Sequence, residues 1–192
     1  MYRTACRSML VISAVALLAA CGQKVEDKTV AQQPDANPAA TIPTPANEAG
    51  APDFVAKTVA GDIFEIDASR AALEKSSSAE VKKFAQEMID AHSKSGNDLK
   101  AAIATAGLTI TPDTTLPKDK ADKVAELRDT DAKDFDKAYL NAQVDAHQAT
   151  LDLMQRYAND GDNAALKAFA AATAPVVQAH YDHAKALRDA LK

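Results

Sequence analysis

From residue 52 to the C-terminus, apolar side chains recur at separations of three and four residues, broken only where Pro, Gly, Asp and Ser cluster. That spacing puts one apolar stripe on each of several helices. The first helix opens with Pro52 and Asp53 in its first turn and carries Val55, Val59, Ile66 and Leu73 on one stripe. A capping box, Ser77-Ser78-Ala79-Glu80, starts the second; the Ser77 hydroxyl and the Glu80 carboxylate are placed to serve each other's backbone donors. This helix runs to Gly107, and a loop through Pro112 and Pro117 follows it. A short amphipathic piece, Lys118 to Arg128, leads to an Asp131 cap and a third long helix ending at Asp160-Gly161. Asp162 begins the fourth, in which Pro175 is expected to introduce a kink. No segment alternates apolar and polar residues long enough for a strand. The expected architecture is all-α: an up-down bundle of four long helices with a short extra one.

The N-terminal fifty residues follow a different pattern. Arg3 and Arg7 precede an apolar run from Met9 to Leu18, the charged and hydrophobic regions of a secretory leader, too short to span a bilayer comfortably. The run closes on Leu18-Ala19-Ala20-Cys21-Gly22, which resembles the bacterial lipobox. That resemblance implies cleavage before Cys21 and a diacylglyceryl group with an added palmitate-type acyl chain on it. Several chains exceed the threshold for stable anchoring. Gly22 stands where an inner-membrane retention signal has Asp, which favours the outer membrane, facing the periplasm or the surface. From Gln23 to Ala51 the chain is rich in Pro, Ala, Thr, Asn and Gln, with Pro34, Pro38, Pro43 and Pro45, and has too little apolar surface to order itself. The expected organisation is a signal peptide over 1–20, a lipidated Cys21 and linker over 21–51, and a helical domain over 52–192.

Composition sharpens this picture. Apolar residues make up 47% of the chain, yet there is no Trp and only five Phe and four Tyr, so the core must be built largely from small side chains in closely packed helices. The formal charge of −5 falls to about −7 once Arg3 and Arg7 leave with the leader. No basic stripe remains for nucleic acid. Cys6 and Cys21 are the only cysteines, which excludes a disulfide framework or a thiol nucleophile in the helical domain.

Three of the four histidines fall on the apolar stripes. His92 continues Val81, Ala85 and Met88; His147 lies with Leu140, Val144, Leu151 and Met154; His180 lies with Phe169, Thr173, Val176, Ala184 and Leu187. One inward imidazole is ordinarily a core residue with a satisfied ring. Three in an alanine-rich interior are costly unless they share partners or a ligand. Asp90-Ala91-His92 and Asp145-Ala146-His147 repeat a string and hint at an internal duplication, while Asp90 and Asp145 themselves point to solvent. A di-iron carboxylate site needs a Glu three residues before two of the histidines. Ile89, Val144 and Val177 occupy those positions, so a standard di-iron oxidase is not expected. Glu65 and Asp62 sit near the inner face of the first helix, and His180 with His183 forms a one-turn pair able to chelate a divalent ion. There is no nucleophile elbow and no phosphate-binding glycine loop.

Several strings resemble a bacterial domain-of-unknown-function family of ferritin-like, predicted outer-membrane (lipo)proteins. Its first half is similar to Gly61-Asp62-Ile63-Phe64-Glu65-Ile66, Ser76 to Glu80, Val81 to Met88, His92 and Leu99-Lys100. Its second half is similar to Phe135 to Leu140, Ala146-His147-Gln148, Leu166 to Ala170, Pro175 and His180. The likeness covers about residues 53 to 191. It implies a ferritin-like bundle and marks Glu65, His92, His147 and His180 as the polar positions. An aspartate usual immediately before the second-helix histidine is Ala91 here, with the acid at Asp90.

Two readings follow. In the leading one the domain is a non-enzymatic interaction or structural module of the cell envelope, anchored to the membrane through Cys21, whose acidic surface meets another envelope protein. In the alternative, His92, His147 and His180, with Glu65 and with His183 and Asp62 as secondary candidates, hold a transition metal (Fe, Cu or Zn) for storage, sensing or oxidative-stress defence.

Overall fold

The structure, a computed structural model, describes residues 50–191; the leader, Cys21 and nearly all of the linker lie outside the described residues. Five helices follow one another: α1 (Ala51–Lys75), α2 (Ala79–Thr105), α3 (Lys118–Asp129), α4 (Ala132–Asp160) and α5 (Ala164–Ala190). The described residues contain no strand. None of these helices is long and apolar enough to cross a membrane.

Two core clusters fix the helix directions. One joins the end of α1 (Ala68, Ala71, Ala72), the start of α2 (Val81, Phe84, Ala85), the start of α4 (Phe135, Tyr139, Leu140) and Ala184 near the end of α5. The other joins Phe54 and Val55, Leu99 and Ile103, Met154 and Tyr157, and Leu166 and Phe169. Thus α1 and α5 run one way and α2 and α4 the other. Each long helix packs on two antiparallel neighbours, in the ring α1, α2, α5, α4. The segment between α2 and α4, with α3 against α1 and α4, returns the chain along the bundle, the single long crossover of ferritin-like folds. Val124 and Leu127 tie α3 into the first cluster. In a duplication of helix pairs α2 corresponds to α5, so the repeated Asp-Ala-His strings on α2 and α4 do not occupy equivalent places.

The apolar stripe expected for α1 is rotated from the one observed. Val55 is buried, but Val59, Ile66 and Leu73 are only partly so. One buried line runs through Ala51, Val55, Thr58, Asp62, Glu65, Ser69 and Ala72, a three-and-four spacing whose middle is polar, with Phe54, Phe64, Ala68 and Ala71 buried beside it. Apolar periodicity misses a seam whose central residues are hydrophilic.

Helix ends also differ in detail. Ser78 rather than Ser77 caps α2, its Oγ accepting from the Val81 N–H at 3.3 Å while its hydroxyl donates to Glu80. Ser77 is exposed. At the other end α2 stops at Thr105, and Gly107 takes φ 66°, with the Leu108 N–H closing onto the Ile103 carbonyl. Only glycine adopts that conformation without strain, which makes it the natural helix stop. Asp162 does not begin α5. Its carboxylate accepts from the Ala51 N–H and from the Tyr157 hydroxyl, tying the start of α1 to the α4–α5 turn, where a negative charge also suits the helix dipole. Asn163 is the cap, its Oδ1 accepting from Ala165 and Leu166 N–H groups at 3.0 and 3.2 Å. Replacing Asn163 by Ala is expected to destabilise the domain by about 1 kcal/mol, read as a lower urea midpoint at unchanged slope. The helix α5 continues through Pro175, which is exposed, as is Ala171 one turn earlier. The carbonyl that loses its intrahelical donor there lies on the solvent side.

Candidate metal centre

The antiparallel packing brings the middles of α2, α4 and α5 to one level, and there the three histidines converge. His92, His147 and His180 are all buried, with ring centroids 5.5 to 6.0 Å apart. One ring nitrogen from each lies within 4.8 Å of the other two. A tetrahedral ion with nitrogen bonds near 2.0 Å needs nitrogens about 3.3 Å apart, so modest side-chain rotation closes the cluster on an ion.

Each ring is oriented by what its other edge touches. His92 Nδ1 pairs with Asp62 Oδ1 at 2.8 Å, and His147 Nδ1 donates to the Gln143 carbonyl, one turn back on α4, at 2.8 Å. These bonds place the proton on Nδ1 and leave Nε2 with a lone pair. His92 Nε2, His147 Nε2 and His180 Nδ1 are all buried without a hydrogen-bond partner among the described residues. A carboxylate or carbonyl behind a histidine, with its free nitrogen turned to a common point, is how metal-binding imidazoles are held.

Glu65 stands beside the three-nitrogen cluster rather than in it. Its Oε1 faces His147 Nδ1 at 3.5 Å, and both oxygens are buried without a well-formed hydrogen bond among the described residues. Burial raises its pKa to about 7, against the pull of the His92 charge and the Gln143 amide. The His92 ring resists charging because it is buried, yet the Asp62 hydrogen bond and the nearby Glu65 win and raise its pKa. Burial, with the charge of His92, lowers His147 to about 4. Burial and the other two rings lower His180 to about 4 as well. At neutral pH these two rings are therefore uncharged, the form that binds metal.

Two expected site features are corrected. His183 does not chelate with His180: it is exposed, 3.3 Å from Glu87 Oε2 on α2, with its ring edge-on to Phe84. Three residues along a helix rotate a side chain by about 60°, enough to carry it from the core to the α2–α5 seam. Val176 is 49% exposed, and Val177 takes the buried position before His180. Asp62, only a secondary candidate in the sequence, holds His92 in place of the missing acid at position 91. Asp90 and Asp145 are exposed as expected. Gln143, fully buried with neither amide atom in a well-formed hydrogen bond, escaped notice. Its place four residues before His147 was the available signal.

The family model described as a domain of unknown function (DUF4142) matches residues 36–187. A crystal structure of a DUF305 fragment from Deinococcus radiodurans aligns at a TM-score of 0.63, over 77% of this chain and 98% of that one, with 15% identity. At that identity the likeness concerns the helical fold alone. A search of curated proteins gives no match.

Proposed function

Because the chain belongs to the DUF4142 family, a domain of unknown function, its activity must be read from its own residues, and we propose that it binds one transition-metal ion. The observation that carries this reading is three converging histidines inside the bundle, each with one buried ring nitrogen that has no partner among the described residues. Left to themselves they are expensive, since each buried unsatisfied polar group costs about 1–3 kcal/mol. An ion removes all three costs together. Charge supports the same reading: a divalent ion on three neutral imidazoles is balanced by the buried carboxylates of Asp62 and Glu65. Three histidines suit Zn, Cu or Fe. Ligands come from α2, α4 and α5, with Asp62 and Glu65 of α1 as supporting charge.

We place this module in the cell envelope, on the strength of the leader and of Cys21 in the sequence, anchored to the outer membrane by lipid at that cysteine. Metal storage, sensing or oxidative-stress defence are roles open to a site so placed.

The test is elemental analysis of the full chain, made without a histidine tag, incubated with iron, copper or zinc and dialysed. A variant with His92, His147 and His180 all changed to Ala is treated alongside. About one ion per chain is expected in the native protein and none in the variant. Native protein that retains no metal would return the histidines to a purely structural role.

A further inference from the structure

The helix directions put Glu65 and Gln143 on one side of the histidine layer and a small cavity on the other. Along α4, Gln143 lies one turn before His147 while Thr150 and Met154 lie one and two turns after it. On α2, Ser95 is one turn past His92, toward the same end of the bundle as Thr150. Since α5 runs the opposite way, Thr173 and Val177, which precede His180, reach that end too. Ser95, Thr150, Met154, Thr173 and Val177, with Asp62, His92 and His180, line a cavity of about 30 Å³. A single water occupies about 10–15 Å³ by this measure, so the space suits a molecule of two or three heavy atoms. Three residues of its wall, Ser95, Thr150 and Thr173, carry hydroxyls, and Asp62 adds a carboxylate whose Oδ2 is buried without a hydrogen-bond partner among the described residues. Ala91, Ser95, Thr173 and Val176 also line an open groove of about 480 Å³ between α2 and α5. The cavity therefore has a solvent-side approach that begins at exposed Val176.

We propose that the metal keeps an open coordination position on the side away from Glu65, facing this cavity, and that the position takes a two- or three-atom ligand of the peroxide or dioxygen class. The inference rests on the metal reading. Three protein nitrogens leave at least one position on a four-coordinate ion, and the packing assigns it a direction. Glu65, Gln143 and the core beyond them close the upper side, where Ser69 and Tyr139 are hydrogen-bonded at 2.8 Å. The cavity side has the volume, three hydroxyl-bearing residues to serve a ligand that accepts hydrogen bonds, and the Asp62 carboxylate to accept from one that carries a proton. Met154, fully buried at the cavity floor, limits its depth.

Azide is a suitable three-atom probe and imidazole an oversized one, each added to the full chain loaded with cobalt(II), whose visible bands report its ligands. A saturable band shift with azide and none with imidazole is expected. Ser95→Leu and Val177→Phe, which narrow the cavity without touching a ligand, are expected to weaken azide binding by about tenfold or more while cobalt stoichiometry stays at one. Should either variant fail to fold or to hold cobalt, the azide and imidazole comparison on the native chain decides alone. Bound cobalt that ignores azide, or answers imidazole equally, overturns the open position and leaves the metal reading intact. A native chain that takes up no cobalt overturns both.

Discussion

Metal binding is expected to tighten by about tenfold or more between pH 6 and pH 8. The reason lies first in Glu65, which holds a proton in the metal-free site at the lower pH. The Glu65 pKa, raised to about 7 by burial, leaves its carboxyl mostly neutral at pH 6 and mostly ionised at pH 8. Ionised, it balances an incoming cation, and its titration alone accounts for about a tenfold change across that interval. The upward shift of His92, caused by Asp62 and Glu65 against the cost of burial, acts in the same direction, because a proton on Nε2 competes with the ion. Each proton displaced steepens the pH dependence by a further factor of about ten per pH unit, up to the pKa of the group that loses it. His147 and His180, both lowered to about 4, are already neutral at pH 6 and add nothing. Competition titrations against a chelator at several pH values would read the effect directly. A flat profile between pH 6 and 8 would mean that neither Glu65 nor His92 is coupled to the ion.

The Glu65→Gln variant should be more stable than the native domain without metal, while holding metal less tightly. The folded-state pKa of Glu65, about 7, lies above the ordinary value of 4.5. The folded protein therefore binds more protons than the unfolded chain between those values, and stability is lost as pH rises through the window. At pH 8 the full cost is present, about 3 kcal/mol at 1.36 kcal/mol per pKa unit. A neutral amide at this position removes the cost that the native glutamate carries. Urea denaturation with a chelator present should thus show variant and native protein nearly equal at about pH 4.5 and the variant ahead by up to about 3 kcal/mol at pH 8. With saturating zinc the order should reverse, because an ion bound only by the folded state adds its own binding free energy, and the native carboxylate makes that larger. A variant less stable than native at pH 8 without metal would show that the charge on His92 outweighs the burial of Glu65.

That pair of expectations explains why a single carboxylate would be kept where it is costly. The inner face of α1 carries Thr58, Asp62, Glu65 and Ser69 where an ordinary bundle has aliphatic residues. Thr58 bonds its own helix through the Phe54 carbonyl, and Ser69 pairs with Tyr139. Asp62 finds His92. Among these four, only Glu65 has both oxygens without a well-formed hydrogen bond, and a cation is the species that turns it from a liability into a neutralising charge.

The number and order of the helices, the short extra helix at Lys118 and the inward turn of three histidines were legible in the sequence, because each depends on residues within one or two turns of one another. Periodicity reports a face, and a cap reports an end. Even so, the polar seam of α1 hid from a reading based on apolar residues, and the exposure of His183 depended on the seam between α2 and α5 beside it. Whether His92, His147 and His180 meet was beyond the sequence. Their separations along the chain, 55 and 33 residues, say nothing of height in the bundle; that is set by the crossover through α3, which starts α4 at the same end as α2 and runs α5 back past both. A one-turn shift of α4 would move His147 by about 5.4 Å and dissolve the cluster. Helix content is a local property of this chain, whereas the metal centre is a matter of register between helices, fixed only when the side chains of the two core clusters pack together.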